Sequence, residues 1–184
     1  LAEQELKIGF RPGAEDILIV RPRGKSLISI QTFEALQNSL KHHNNRNVRI
    51  LLSDPALFKV LDKLDDSNDR ERLSRMLGKE YPWEDLAAGA DAALKKYKIF
   101  KNNLPLKSRN KLEIRTAHTL LTVGGIVRKE QGQQDLVFIR LLPIGTNIDR
   151  RDLRLEARHD DGLSSFYIQY LEELWKQGDA YNPA

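Results

Sequence analysis

The sequence predicts an α/β fold built on a mixed, partly parallel sheet with helices on both faces. The first observation is a short apolar run with β-branched members from Val48 to Leu52, typical of a strand buried on both faces. The second is its ending in Ser53, Asp54 and Pro55, because a capping side chain followed by proline begins a helix. The third is a strand-rich C-terminal half that follows this α/β unit.

Strands and helices alternate in the first half of the chain. Asp16 to Val20 is expected to form the first strand, and Ser29 can cap the helix that follows it. The apolar residues of this helix recur at helical spacing and are Ile30, Phe33, Leu36 and Leu40. Because a strand, a helix and a strand with short connections form a βαβ unit, we expect the first two strands to be parallel. Further helical patterns follow Pro55, include residues 73–78 and begin again at Pro82.

The second half of the chain consists mainly of strands. Three of them are expected at Leu112 to Ala117, Gly125 to Lys129 and Leu136 to Leu142, with glycine-rich connections that suit hairpins. Apolar and charged residues alternate from Asp152 to Arg158, which predicts a half-exposed strand near the edge of the sheet. A final amphipathic helix is expected from Ser164 to Lys176.

Length and composition indicate one globular domain. The chain has 184 residues, 40% of them hydrophobic and 30% charged, which is enough to bury a core and excludes a disordered chain. We assign residues 16–184 to this domain and residues 1–15 to a linker or lead-in. No apolar run approaches the roughly 18 residues of a membrane span, and the absence of cysteine excludes disulfides and thiolate chemistry. Because the chain begins at Leu1 and has no basic-then-apolar leader, we expect it to be part of a longer protein. The absence of cysteine favours a cytoplasmic one.

Polar and charged residues follow the first two predicted strands. Arg21, Arg23 and Lys25 come after the first strand, and Ser53 and Asp54 come after the central one. Ligands of open α/β sheets bind beyond the carboxyl ends of the strands, so we expect these residues to converge on an anionic ligand such as a phosphate or an acidic side chain. A solvated basic turn and a simple helix cap are the structural alternatives.

Two kinds of site are not supported by the sequence. Gly24-Lys25-Ser26 resembles the end of a phosphate-binding loop, but the first glycine of that motif would fall at Ile19, inside the strand, which argues against nucleotide hydrolysis. Among the four histidines, only His118 follows a strand as a catalytic histidine does. His42 and His43 have no nearby carboxylates at metal-ligand spacing, and solvation in a turn explains His159 beside Asp160 and Asp161, so we expect neither a metal nor a cofactor.

A basic segment runs from Lys95 to Lys111, and no acidic residue interrupts it. Tyr97 and Phe100 are interleaved with its cations, which is typical of a nucleic-acid surface when all of them share one face. A solvated helix end and a surface for an acidic partner remain alternatives, and the net charge of only +4 predicts weak binding to nucleic acid. The candidate contact residues are Lys95, Lys96, Lys98, Lys101, Lys107 and Arg109.

Four segments carry a family resemblance. They are Ile-Leu-Ile-Val-Arg-Pro-Arg-Gly (17–24), Val-Arg-Ile-Leu-Leu-Ser-Asp-Pro (48–55), Leu-Glu-Ile-Arg (112–115) before His118, and Leu-Glu-Glu-Leu-Trp (171–175). In this order they resemble the phospholipase D-like superfamily in its catalytically degenerate, regulatory form. Active members use a histidine, a lysine two positions on and an aspartate five beyond that. Aligned on His118, those places hold Leu120 and Gly125, so the resemblance implies a retained fold without the phosphodiesterase chemistry. The same topology would bring His118 close to the residues that follow the first two strands, so we include His118 in the candidate ligand site.

The leading interpretation is therefore a non-catalytic regulatory, sensor or assembly domain of a larger protein. Such a domain would bind an anionic small molecule or an acidic protein partner, and a homodimer is one expected assembly. Two alternatives stay open at this point: a phosphodiesterase or nuclease with an altered site at His118, and a nucleic-acid-binding module that uses the basic segment.

Overall fold

The computed structural model describes residues 9–10, 13–22, 29–42, 46–63, 83–119, 121, 123–130, 135–141, 154–158 and 162–181. The strands among them are β1 (Ala14–Arg21), β2 (Asn47–Ser53), β3 (Leu112–Ala117), β4 (Val123–Glu130), β5 (Leu136–Leu141), β6 (Arg154–Arg158) and β7 (Asp179–Ala180). The helices are α1 (Ile30–His42), α2 (Pro55–Lys63), α3 (Trp83–Asn103), α4 (Leu106–Arg109) and α5 (Gly162–Gln177).

The strands form one mixed sheet in the order β6-β5-β4-β1-β2-β3-β7. β1, β2 and β3 run parallel to one another, while β4, β5, β6 and β7 each pair antiparallel with a neighbour. The predicted α/β fold with a partly parallel sheet is confirmed, and β6 lies at an edge as its alternating pattern predicted. The helical pattern at residues 73–78 lies outside the described residues.

Local signals in the sequence place the helix starts. The Ser29 hydroxyl accepts a hydrogen bond from the Thr32 amide at 3.2 Å, which caps α1. The Asp54 carboxylate accepts one from the Ala56 amide at 2.8 Å, and Pro55 occupies the first position of α2. β1, in contrast, begins at Ala14, two residues earlier than predicted.

The sheet is covered on both faces. One face packs against α1 and α3 in a core centred on β1 and β2, and α2 packs in turn against α3. The opposite face packs against α5, whose Leu171 and Trp175 are buried. Ile30 departs from the predicted apolar stripe of α1 and is 74% exposed, because it occupies the first turn, ahead of the buried Leu36 and Leu40.

A cluster of charged side chains attaches α5 to the sheet, and we call it the Arg49 cluster. Its members are Asp16 of β1, Arg49 of β2, Lys129 of β4, and Glu172 and Trp175 of α5. Arg49 pairs with Asp16 and with Glu172, the latter at 2.7 Å between Nη1 and Oε2. Lys129 Nζ lies 2.7 Å from Glu172 Oε1, and the guanidinium of Arg49 lies over the Trp175 ring. The cluster joins three strands to one helix.

The electrostatics of this cluster favour an ionised carboxylate. Burial alone would raise the pKa of Glu172, but the hydrogen bonds and positive charges of Arg49 and Lys129 outweigh it and lower that pKa to about 2. Glu172 is therefore charged over the whole neutral range and holds both cations in place.

Across the described part of the chain, no helix is both long and apolar enough to cross a bilayer.

Candidate functional site

The carboxyl ends of the three parallel strands form one edge of the sheet. Arg21, the last residue of β1, is in register with Leu52, and Ser53, the last residue of β2, is in register with Ala117. The amide of Asp54 donates a hydrogen bond of 2.9 Å to the carbonyl of Ala117. The residues that follow β2 and β3 are consequently held side by side.

His118 joins two carboxylates at this edge. Its Nδ1 lies 2.9 Å from Asp54 Oδ2, and its Nε2 lies 2.6 Å from Asp179 Oδ2. Asp54 also caps α2 through its other oxygen, and Asp179 begins β7, where it pairs with Thr116. The structure thus brings together two residues that the sequence proposed for the same site, Asp54 and His118, and adds Asp179, which the sequence did not indicate.

These contacts favour the protonated form of the imidazole. A hydrogen bond to Asp179 raises the pKa of His118 above its usual value, and the charge and hydrogen bond of Asp54 add to the effect despite some desolvation. In the protonated ring both nitrogens are donors, and each has a carboxylate acceptor. An imidazolium in this arrangement has no free lone pair with which to attack phosphorus.

Arg21 and Ser53 share this edge but not a face of the sheet. Arg21 points to the face covered by α1 and α3 and is only 3% exposed. Gly124 of β4 makes room for it, since a Cβ at that position would lie 3.3 Å from Arg21 Nη1. Ser53 points to the α5 face, where its buried hydroxyl has no hydrogen-bond partner among the described residues. The alternation of side chains along strands explains the separation.

The guanidinium of Arg21 faces the core near α3. Burial raises the pKa of Tyr97 in α3, and the positive charge of Arg21 partly offsets that effect. Arg21 is therefore buried in the core near the carboxyl edge. Arg23 and Lys25, the other two cations predicted for the ligand site, lie outside the described residues, so their role stays a prediction.

Gly125 occupies a position that leaves no space for a side chain. A Cβ there would lie 2.8 Å from Leu171 Cδ1 and 2.9 Å from the carbonyl oxygen of Phe138. Real Cβ atoms essentially never come this close to another heavy atom. The packing of β4 between β5 and α5 thus excludes an aspartate at this position, while Leu120 lies outside the described residues.

Some side chains of the basic segment are exposed to solvent, and others are buried in the core. Tyr97 is fully buried, and Phe100 packs against Phe33 with 4.9 Å between ring centroids. Arg109 is used within the fold, because its Nη2 donates to the carbonyls of Asn102 and Leu104 where α3 ends. Among the remaining cations, Lys95, Lys96 and Lys107 are exposed, and Lys98 and Lys101 are half-exposed.

Within the described residues no group of three histidine or acidic side chains is arranged to hold a metal ion. Asp54 and Asp179 contact different nitrogens of the His118 ring, so a metal on either nitrogen would meet only one of them.

Comparison with known proteins adds no further assignment: no protein-family model matches the chain, and a search of curated proteins found no match.

Proposed function

We propose that the protein is a non-catalytic regulatory domain of phospholipase D-like type that binds an anionic ligand at the carboxyl edge of its parallel strands. The observation that carries this proposal is the packing at Gly125, where the aspartate of the resembling active enzymes has no space. The domain would act within a larger cytoplasmic protein.

The geometry of His118 supports the absence of catalysis. A phosphohistidine mechanism requires a ring nitrogen with a free lone pair and a positive group that stabilises the phosphate. Here Nε2 is paired with Asp179 and Nδ1 with Asp54, and the position two residues after His118 holds Leu120 instead of lysine. His118 connects the start of α2 to the edge strand β7, which is a structural task.

The anionic character of the ligand depends on the cations after β1. Asp54 and Asp179 together carry one more charge than a protonated His118, so this trio has a net negative charge and does not attract an anion by itself. In the sequence, Arg23 and Lys25 come soon after β1, which ends at this edge. We assign the recognition of a phosphate or carboxylate to these two side chains.

Phosphodiester hydrolysis should be absent. We expect the purified domain to turn over neither a chromogenic phosphodiester nor DNA above the buffer background, and His118→Ala to leave that background unchanged. Thr119→Ala, at the exposed neighbouring position, is the matched control. Turnover that His118→Ala abolishes and Thr119→Ala preserves would overturn the non-catalytic assignment.

Inorganic phosphate should bind weakly at the carboxyl edge. We expect low-millimolar phosphate to shift the NMR signals of His118 and of the first turn of α2, and the double variant Arg23→Gln, Lys25→Gln to remove the shifts. Charge attraction by two side chains gives only modest affinity in water, and added salt should reduce it. Lys41→Gln, in the last turn of α1, is the control that should bind like the wild type. Equal shifts in the double variant would refute the assignment of the ligand to Arg23 and Lys25.

A further inference from the structure

The carboxyl-terminal half of α3 and the short helix α4 that follows it carry an exposed set of side chains that the proposed ligand site does not use. We call it the basic stripe, and it consists of Lys95, Lys96, Lys98, Ile99, Leu106 and Lys107. Ile99 is 60% exposed and Leu106 is 70% exposed, although both are aliphatic. Scattered exposed apolar side chains are normal on a protein surface; Ile99 and Leu106 are notable because they occur among exposed lysines, a combination that suits an amphipathic acidic partner.

Among the described residues, most charges of the basic stripe have no acidic partner. Lys95 pairs with Asp91 one turn earlier, with 2.7 Å between Nζ and Oδ2. No acidic residue occurs from Ala92 to Leu112. Within the part of the chain that the structure describes, Lys96, Lys98 and Lys107 have no ion-pair partner. On a helix, Lys95 and Lys96 lie one turn before Ile99, so the apolar side chain is bordered by positive charges.

The position of the aromatic rings argues against a nucleic-acid surface. Proteins that bind single strands stack bases on exposed aromatic side chains. Tyr97 and Phe100 lie in the same segment, but Tyr97 is fully buried and Phe100 packs against Phe33. The apolar groups that the stripe does expose are aliphatic and offer no stacking surface.

Two other occupants fit the stripe poorly. A second copy of this chain would place lysines opposite lysines across a two-fold axis, which is repulsive. A membrane surface requires a continuous apolar face along the helix, whereas Asn102 and Asn103 follow Ile99 on α3 and are exposed.

We infer that the basic stripe binds an acidic, amphipathic segment of a partner protein. Carboxylates of that segment pair with Lys96, Lys98 and Lys107, and its apolar side chains cover Ile99 and Leu106. Charge complementarity supplies the attraction and the orientation, and the two aliphatic residues provide apolar area that becomes buried on binding. This inference does not depend on the ligand site at the carboxyl edge.

The test uses two labelled peptides of about 15 residues, roughly four helical turns. One is composed of glutamate and leucine at helical spacing, and the other contains glutamate without leucine. We expect fluorescence anisotropy to show binding of the glutamate–leucine peptide that is about fivefold tighter than that of the purely acidic peptide, because only the former covers Ile99 and Leu106. Ile99→Ser should remove this difference. Lys96→Glu combined with Lys98→Glu should weaken binding by at least about tenfold.

The control variant is Lys176→Glu, which reverses an exposed charge on α5, the helix that covers the opposite face of the sheet from α3; it should bind the peptide like the wild type. Three results would overturn the inference. The first is no binding of the glutamate–leucine peptide, and the second is the same loss in the Lys176 control. The third is tighter binding of a DNA oligonucleotide or of anionic phospholipid vesicles that the double variant abolishes, since either would identify a different class of partner.

Discussion

Replacement of Gly125 by alanine should destabilise the domain by about 1–3 kcal/mol, as expected for overpacking of a tight core. The new methyl group would approach both Leu171 Cδ1 and the Phe138 carbonyl oxygen to less than 3.0 Å. The contact with Leu171 involves a side chain, which can rotate. The contact with Phe138 involves a backbone carbonyl of the adjacent strand β5, which cannot move without disturbing the β4–β5 pairing. The strain therefore remains in the folded state. Urea denaturation followed by circular dichroism measures the loss.

Gly125→Asp should have a larger effect and abolish folding, because it adds an ionised group to the same closed space. The change would restore the aspartate of the resembling active enzymes without restoring activity. Gly89→Ala is the matched control, since nothing lies within 4 Å of a Cβ at that helical position. It should stabilise the domain by about 1 kcal/mol through helix propensity. If Gly125→Ala matched the wild type in stability, the steric account of this position would be wrong.

Glu172→Gln should lower the free energy of unfolding by about 2 kcal/mol at neutral pH. Glutamine keeps the shape of the side chain but removes the negative charge that faces Arg49 and Lys129. Arg49 would retain Asp16, whereas Lys129 would lose its partner in the cluster. Because the whole cluster joins α5 to three strands, amide exchange should increase mainly in α5 and in the adjacent parts of β1, β2 and β4.

The effect of this substitution should depend on pH in a definite direction. The folded-state pKa of Glu172 is lowered from 4.5 to about 2. The stabilising contribution is therefore fully present above the unfolded pKa of 4.5 and is lost as the pH falls through about 2. We expect the difference between wild type and Glu172→Gln to shrink over this interval. The control is Glu173→Gln, which changes the adjacent, exposed glutamate that pairs with Lys176. Its free energy of unfolding should stay close to that of the wild type. A difference that did not change with pH would contradict the electrostatic explanation.

Short-range patterns were sufficient to predict the framework of this sheet. The apolar run at β2 and the Asp54-Pro55 start of α2 appear in the structure as the sequence indicated, and Ser29 caps α1. The alternating pattern near residue 155 correctly predicted a strand near the sheet edge. These features depend on residues a few positions apart, because burial of one face and satisfaction of the first helical amides are local requirements.

The candidate site could be predicted from the sequence only in part. The ends of β2 and β3 could be expected at one edge, and the structure does place Asp54 beside His118. Asp179 could not be found from its sequence context, because it reaches His118 through the pairing of the two-residue strand β7 with β3. Arg21 was likewise expected beside Ser53. In the structure the two side chains lie on opposite faces of the sheet, which follows from the strand register and from the alternation of side chains along each strand.

Tertiary packing also decided the meaning of two sequence patterns. Tyr97 and Phe100 alternate with lysines along the chain, yet both rings turn into the core while Ile99 remains in solvent. Gly125 was notable in the sequence as a missing aspartate, but the reason for glycine lies in a carbonyl of β5 and a leucine of α5. Contacts of this kind join residues distant along the chain, and they depend on strand register and helix placement, which no periodicity within a single segment encodes.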